Sequence, residues 1–198
     1  MTAAQADLRT DRAEIPDAVS DDVSTGAPDA FGDATGGVSF GRPSVADGAA
    51  LWRLAKDSGT LDVNSSYSYL LWCRDFAATS VVARDAGGEA VGFVTGYVRP
   101  DRPRTLLVWQ VAVDAGHRGR GLAARLLDTL AARVTTDLDV TDVETTITPG
   151  NTASERLFTS FAARHGAPCE REVLFAAEQF PDGPHDPEVL YRIGPLAR

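Results

Sequence analysis

The sequence predicts an α+β domain built on a mixed β-sheet. Its 198 residues contain seven short segments typical of strands and four with helical periodicity, in an order that does not alternate regularly. Residues 106–113 are almost continuously apolar, as expected for a central strand buried on both faces. Two strands that precede this segment are separated by a Gly-Gly turn rather than by a helix. A purely alternating βα fold is therefore disfavoured.

The first part of the domain is predicted to contain a short strand and two helices. After the strand at 38–40, Ser44 and Asp47 form the Ser-x-x-acid pattern of a helix start, and Gly59 is a natural stop. A second helix is predicted at 66–76. Its buried stripe is expected to consist of Tyr69, Leu70, Cys73 and Phe76.

A hairpin and the central strand follow. Strands are predicted at 79–84 and 90–98, on either side of the Gly-Gly turn. A loop that contains Pro100 and Pro103 then leads into the central strand at 106–113.

The last part of the domain is predicted to contain two helices and three strands. The first helix carries a leucine stripe, and the second begins at the capping residue Asn151 and ends near Gly166. Strands are predicted at 143–148, 172–175 and 189–193. The leucine stripe consists of Leu122, Leu126, Leu127 and Leu130.

Charge divides the chain into two parts. Residues 1–37 carry eight acidic and two basic side chains, which is −6 of the formal net charge of −9. This segment has few large apolar side chains to offset the entropy of ordering, so we expect a disordered acidic tail. The compact domain is predicted at 38–198.

Composition excludes several classes of protein. No segment approaches the roughly 18 consecutive apolar residues of a membrane span, and the N-terminus lacks a secretory signal pattern. The two cysteines, Cys73 and Cys169, are too few for a disulfide framework, so we expect the protein to reside in the reducing cytoplasm. The acidic balance argues against a nucleic-acid partner. Three scattered histidines without a Cys-x-x-Cys pair give no indication of a metal site.

The clearest chemical signal is the turn at 114–121, between the central strand and the leucine-striped helix. Its glycines allow close backbone approach, and a helix N-terminus offers unpaired N–H groups to an anion such as a pyrophosphate. Gly119 to Ala124 match the dinucleotide pattern G-x-G-x-x-A, with Asp142 and Glu144 about 20 residues on. That pattern requires its first glycine close to the strand end, however, and five residues intervene here.

The alternative motif is Arg118-x-x-Gly121-x-Ala123, which resembles the pyrophosphate-binding Q/R-x-x-G-x-G/A motif of the GNAT acyltransferases. The order of predicted elements also resembles that superfamily. The resemblance implies a GNAT fold with six to seven strands and about four helices, and acetyl-CoA as co-substrate. The residues it assigns to acetyl-CoA are Val111, Val113, Arg118, Gly119, Arg120, Gly121, Leu122, Ala123 and Asn151.

Four further segments, at 59–71, 108–114, 144–149 and 188–195, resemble the L-2,4-diaminobutyrate acetyltransferases of ectoine biosynthesis. This resemblance covers residues 38 to 196. It implies transfer of an acetyl group to the γ-amine of diaminobutyrate, a cytoplasmic reaction, by a homodimer. With an amine pKa near 10, deprotonation at pH 7 costs about 4 kcal/mol, which a base or a water chain must supply.

With this resemblance, five side chains become candidates for the substrate site. Asp62 and Glu144 are the candidate catalytic carboxylates. The alternative for Asp62 is a helix-capping or turn role, and the alternative for Glu144 is a structural salt bridge. Asp62 and Glu144 are also expected to bind substrate. The other candidate substrate-binding residues are Tyr67, Trp109 and Glu188.

One position departs from the superfamily. Many GNAT enzymes carry a tyrosine in the Asn-capped helix that protonates the departing thiolate of CoA, whereas the comparable residue here is Phe158. The general acid is therefore unassigned. Two alternatives stay open: acetylation of another small amine, and a CoA-binding module without catalysis.

Overall fold

The computed structural model describes residues 37–181 and 183–197, and the predicted acidic tail lies, apart from Gly37, outside the described residues. Within them the strands are β1 (Ser39–Gly41), β2 (Val81–Arg84), β3 (Ala90–Arg99), β4 (Arg102–Val113), β5 (Asp142–Ile147), β6 (Cys169–Phe175) and β7 (Glu188–Ile193). The α-helices are α1 (Gly48–Ser58), α2 (Ser66–Asp75), α3 (Leu122–Leu138) and α4 (Thr152–Arg164).

The strands form one mixed sheet in the order β1-β2-β3-β4-β5-β7-β6. Strands β4 and β5 are parallel, and every other neighbouring pair is antiparallel. The predicted central strand is the fourth of seven. The α+β class with a mixed sheet is therefore confirmed.

Helices cover both faces of the sheet. On one face the leucine stripe of α3 packs with Phe158 and Phe161 of α4, and all four leucines are at most 5% exposed. On the other face Leu51 of α1 and Tyr69 of α2 pack on Phe93 of β3, and each of the three is fully buried. Two helical layers thus hold a rigid sheet between them.

The chain enters α1 through the predicted capping pattern. The Ser44 backbone N–H donates to the Asp47 carboxylate at 2.6 Å, and residues 45–47 form a single 3₁₀ turn before the helix. Asp47 also pairs with Arg84 of β2 at 2.6 Å, and its carboxyl is almost fully buried. Burial opposes ionisation of Asp47, but hydrogen bonds from Arg84 and Ser44 outweigh it and lower its pKa. The cap thereby ties α1 to the sheet.

The predicted stripe of α2 is half right. Tyr69 and Cys73, one turn apart, are buried, whereas Leu70 and Phe76 are 40% and 37% exposed. Leu70 is rotated by about 100° from Tyr69 on the helix and so leaves the packed face. Phe76 instead packs on the Trp72 ring, with 4.7 Å between ring centroids.

The predicted loop around Pro103 is wrong, because β4 already begins at Arg102. The β3–β4 register is irregular between Val98 and Arg99, so Pro103 lies where the ladder requires no N–H donor. The two strands are consequently joined by a tight turn, and β4 is longer than the predicted central strand.

Candidate active site

The sheet opens between its two parallel strands. Strand β4 pairs with β5 only through residues 105–107 and 142–144, although both strands continue beyond that point. Where the pairing ends, the Thr145 hydroxyl donates to the Val108 carbonyl at 3.2 Å. Backbone groups of β4 and β5 beyond this point border a gap rather than each other.

A β-bulge in β4 lies beside the opening. Thr95 of β3 opposes Gln110 and Gly96 opposes Val108, so Trp109 is the extra residue. A Cβ at Gly96 would lie 2.7 Å from the Leu107 carbonyl oxygen, and the close approach of the two strands therefore requires glycine. A bulge bends its strand, and β4 stops pairing with β5 just before this one.

The opening holds a cavity of about 280 Å³. Its walls come from the end of β4, the end of β5, the first turns of α4, the 60–64 connection and the segment between β6 and β7. The lining residues are Thr60, Leu61, Asp62, Asn64, Val108, Trp109, Gln110, Val111, Thr145, Thr146, Ile147, Thr148, Asn151, Ser154, Phe158, Phe175, Phe180, His185 and Glu188.

The glycine-rich turn follows the end of β4. Gly119 and Gly121 have φ values of +76° and +72°, a conformation that favours glycine. The Asp114 side chain accepts hydrogen bonds from the Gly116 N–H and from His117, both at 2.9 Å. The His117 hydrogen bond is the main cause of a lowered Asp114 pKa. The turn is thus held from within by its own carboxylate.

Helix α3 begins directly after this turn. Its first intrahelical hydrogen bond runs from the Arg125 N–H to the Gly121 carbonyl, so the preceding amides have no acceptor within the helix. Arg118 and Arg120 are exposed beside these amides, and the Arg118 guanidinium donates to the Val113 carbonyl at 3.1 Å. The residues from Arg118 to Ala123 therefore have the features expected of an anion site.

Asn151 and Val111 connect the two ends of the site. The Asn151 side-chain oxygen accepts from the Ser154 N–H at 3.1 Å, which confirms the predicted cap of α4. Asn151 and Val111 both line the cavity, whereas Val113 lies between the cavity and the turn. A ligand that reached from the turn into the cavity would pass along these residues.

Two of the predicted carboxylates lie at the cavity. Asp62 lines it from the connection between α1 and α2, and Glu188 lines it from the start of β7. Trp109 also lines it, with half of its side chain exposed and its ring stacked on Trp72 at 6.4 Å. Tyr67 is 65% exposed and does not line the cavity in this structure.

Glu144 does not line the cavity, which corrects its expected role as a general base. Its carboxylate is fully buried and accepts hydrogen bonds from Arg99 at 2.7 Å, Arg192 at 2.9 Å and Arg102 at 3.4 Å. Burial opposes ionisation, but the hydrogen bonds from Arg99 and Arg192 outweigh it and lower the pKa of Glu144. A carboxylate bound by three guanidinium groups is a poor proton acceptor. The alternative of a structural salt bridge fits this geometry.

The profile of the acetyltransferase (GNAT) family matches residues 49–162, more than half of the chain. These residues include the sheet opening, the glycine-rich turn and most of α4. The chain belongs to the acetyltransferase (GNAT) family.

Individual GNAT proteins are also similar to this chain. An L-2,4-diaminobutyric acid acetyltransferase of Streptomyces avermitilis is 66% identical over 197 residues, covering 100% of this chain and 99% of that protein. One of Streptomyces coelicolor is 72% identical over 156 residues, covering 79% of this chain and 92% of that protein. The first alignment extends through the acidic N-terminal segment.

Solved structures of GNAT proteins resemble this one as well. The diaminobutyrate acetyltransferase EctA from Paenibacillus lautus, in complex with L-2,4-diaminobutyric acid and coenzyme A, has a TM-score of 0.76 and 40% identity over 81% of this chain and 96% of that one. The NatC complex bound to Gag peptide and CoA has a TM-score of 0.64 and 15% identity over 81% of this chain and 99% of that one, which shows the fold alone.

Some lining residues of this acetyltransferase, such as Phe180, were missed from sequence. Phe180 stacks on His185 with 3.7 Å between ring centroids, and both lie in an irregular segment that has no periodicity to predict their direction. Phe158 lines the cavity from α4, 3% exposed, so the position comparable to the superfamily's tyrosine carries no hydroxyl. No cluster of three potential metal ligands occurs among the described residues.

Proposed function

We propose that this protein transfers the acetyl group of acetyl-CoA to the γ-amine of L-2,4-diaminobutyrate, giving N-γ-acetyl-L-2,4-diaminobutyrate and CoA, a step of ectoine biosynthesis. The observation that carries the proposal is the charge of the cavity. Among the described residues its ionisable side chains are Asp62, Glu188 and His185. Two carboxylates suit a small substrate that carries two ammonium groups.

The anion site at the start of α3 fits the pyrophosphate of acetyl-CoA. Positive-φ glycines let the backbone approach the phosphates, and Arg118 and Arg120 supply positive charge. Acetyl-CoA supplies the acetyl group as an activated thioester. Asn151 and Val111 border the path from the turn to the cavity, so they position the arm that carries the thioester.

Asp62 and Glu188 hold the two ends of the amine substrate in this proposal. Fixing the α-ammonium while the γ-amine faces the thioester accounts for regioselectivity. The γ-amine must lose a proton, at a cost of about 4 kcal/mol at pH 7. A side chain that faces the cavity, or a water molecule bound by such a side chain, accepts that proton. Glu144 does not, because its carboxylate is buried and hydrogen-bonded to Arg99 and Arg192.

The test is CoA-thiol release by the purified protein with acetyl-CoA and a panel of amines, with NMR of the product. We expect diaminobutyrate to be the preferred amine and the γ-nitrogen to carry the acetyl group. Faster turnover of a polyamine or an aminoglycoside would contradict the substrate. Tight binding of acetyl-CoA without turnover of any amine would indicate that the protein is a non-catalytic CoA-binding module.

Asp62→Asn and Glu188→Gln test the substrate site. Each removes one charged contact, so we expect the KM for diaminobutyrate to rise by about tenfold or more, with the KM for acetyl-CoA unchanged. Asp57→Asn is the matched control, because Asp57 is exposed at the end of α1 and does not line the cavity. Equal effects of all three variants would contradict the assignment.

We also propose that the enzyme works as a homodimer in the cytoplasm. Strand β6 is an edge of the sheet, and it exposes Val173, Leu174 and Phe175 by 61%, 38% and 45%. An exposed apolar edge strand suits pairing with a second copy. Both cysteines are free thiols, which is in keeping with a reducing compartment. No helix within the described residues is long and apolar enough to cross a membrane.

A further inference from the structure

Gln110 is a buried polar residue in the central strand β4. It is 6% exposed, and both ends of its carboxamide are hydrogen-bonded. The side-chain nitrogen donates to the backbone carbonyl of Asp62 at 2.8 Å, across 48 positions of sequence. The side-chain oxygen accepts from the Tyr69 hydroxyl at 3.0 Å. A buried amide is costly unless it is paired, so these contacts fix its orientation.

Tyr69 supports this arrangement from α2. Its side chain is fully buried, and its ring packs edge-on against Phe93 at 6.4 Å between centroids. Burial raises the pKa of Tyr69, and the hydroxyl is protonated at neutral pH with or without this shift, so it can donate to Gln110. The backbone and the side chain of Asn64 lie near this hydroxyl and lower its pKa slightly. Tyr69 therefore links the packed core to the segment that joins α1 and α2.

These contacts act on the segment that carries Asp62. The side chain of Asp62 is exposed at the cavity, so apolar packing does not fix its position. Its backbone carbonyl is held by Gln110, and Gln110 is held in turn by the Tyr69 hydroxyl. The short connection is thus attached to β4 through Gln110, and α2 supports this attachment through Tyr69.

We propose that Gln110 and Tyr69 are positioning residues that fix the 61–65 connection, so that the Asp62 carboxylate meets one ammonium group of the amine substrate. This inference rests on the proposed function of Asp62. Neither residue needs to touch the reacting atoms. Their effect passes through the hydrogen bonds from Tyr69 to Gln110 and from Gln110 to the backbone carbonyl of Asp62, and the gain is a pre-organised carboxylate.

Tyr69→Phe and Gln110→Met test the proposal. Tyr69→Phe removes one hydroxyl without changing the ring, and Gln110→Met keeps side-chain length while removing both hydrogen bonds. We expect each to raise the KM for diaminobutyrate by about five- to twentyfold while the KM for acetyl-CoA stays within twofold. Thr95→Val is the matched control, because Thr95 opposes Gln110 in the sheet and its buried hydroxyl has no partner among the described residues.

A double-mutant cycle separates positioning from general stability. In the Asp62→Asn background the carboxylate is already absent, so Gln110→Met should raise the KM for diaminobutyrate little further. Fully additive effects, or an unchanged KM in both single variants of an active enzyme, would overturn the inference.

Hydrogen exchange gives a reading that does not depend on the substrate. We expect faster exchange of the backbone amides of residues 61–66 in Tyr69→Phe and Gln110→Met, and not in Thr95→Val. If the wild-type protein fails to acetylate diaminobutyrate, the proposed function fails, and exchange alone decides whether the connection is held. Unchanged exchange in both variants would show that it is not.

Discussion

Glu144 is the residue whose observed role differs most from the role predicted from the sequence. A carboxylate on an inner strand is costly unless it is paired or functional, and the sequence cannot distinguish these cases. The partners decide it: Arg99 and Arg102 flank a turn about 45 positions earlier, and Arg192 faces Glu144 across the β5–β7 ladder. Within the described residues Asp62 and Glu188 form no ion pair with an arginine, and both lie at the cavity instead.

Glu144→Gln tests this structural role. Removing one partner of a buried ion pair leaves guanidinium groups without their counter-charge, so we expect a loss of about 3 kcal/mol in the free energy of unfolding at pH 7. The KM values of the folded enzyme should stay close to those of the wild type. Urea denaturation checks stability. Glu172→Gln is the control, because Glu172 pairs with the same Arg192 at 3.1 Å but is 59% exposed, and its loss should cost less than about 1 kcal/mol.

The lowered pKa of Glu144 predicts how the stability of the fold depends on pH. The folded-state pKa of Glu144 is lower than its unfolded value, so its stabilisation is fully present above the unfolded pKa and is lost as pH falls through the folded pKa. We expect the wild type to lose stability below about pH 4, and Glu144→Gln to lose less over that range. A decline of equal steepness in both proteins would contradict this role.

At the scale of elements, two local features create the site. The bulge at Trp109 bends β4 next to the point where it stops pairing with β5, and the left-handed glycines let the chain turn sharply into α3. The glycine-rich turn and the helix were predictable, because they depend on local chemistry. The bulge was not, because residues 106–113 have the pattern of one regular strand without any signal for an extra residue. Trp109 is exposed because of the way β3 and β4 pair.

Gly121→Glu tests the anion site. A carboxylate at the start of α3 should repel the pyrophosphate, so we expect acetyl-CoA affinity to fall by about tenfold or more in calorimetry. Gly88→Glu is the matched control: Gly88 has a φ of +84° in the β2–β3 turn, and a Cβ there, as at Gly121, would meet nothing within 4 Å. Unchanged affinity in Gly121→Glu would show that the pyrophosphate binds elsewhere.

At the scale of the whole molecule, the sheet order has two consequences. Placing β7 between β5 and β6 brings Glu188, near the end of the chain, to a cavity that also contains Asp62. It also leaves β6 at an edge with its apolar side chains exposed. The expected homodimer would cover that edge, close to Phe175, which both belongs to β6 and lines the cavity.

Val173→Glu tests the dimer. A charge on the exposed edge should disfavour association, so we expect the wild type to sediment as a dimer at micromolar concentration and the variant to shift towards monomer. Leu138→Glu is the control, because Leu138 is also exposed but lies at the end of α3. A monomeric wild type would rule out the homodimer at that concentration.

The sequence by itself determined the α+β class, the leucine stripe of α3, the caps at Ser44 and Asn151, and the glycine-rich turn. Each depends on residues within a few positions of one another, where propensity, periodicity and φ requirements act directly. The tertiary structure alone decided which carboxylates face the cavity. Asp62, Glu144 and Glu188 have similar chemistry, and their different surroundings come from strand pairing between residues that are distant in sequence. Burial and partners, set by that pairing, separate a structural carboxylate from one free to meet an amine.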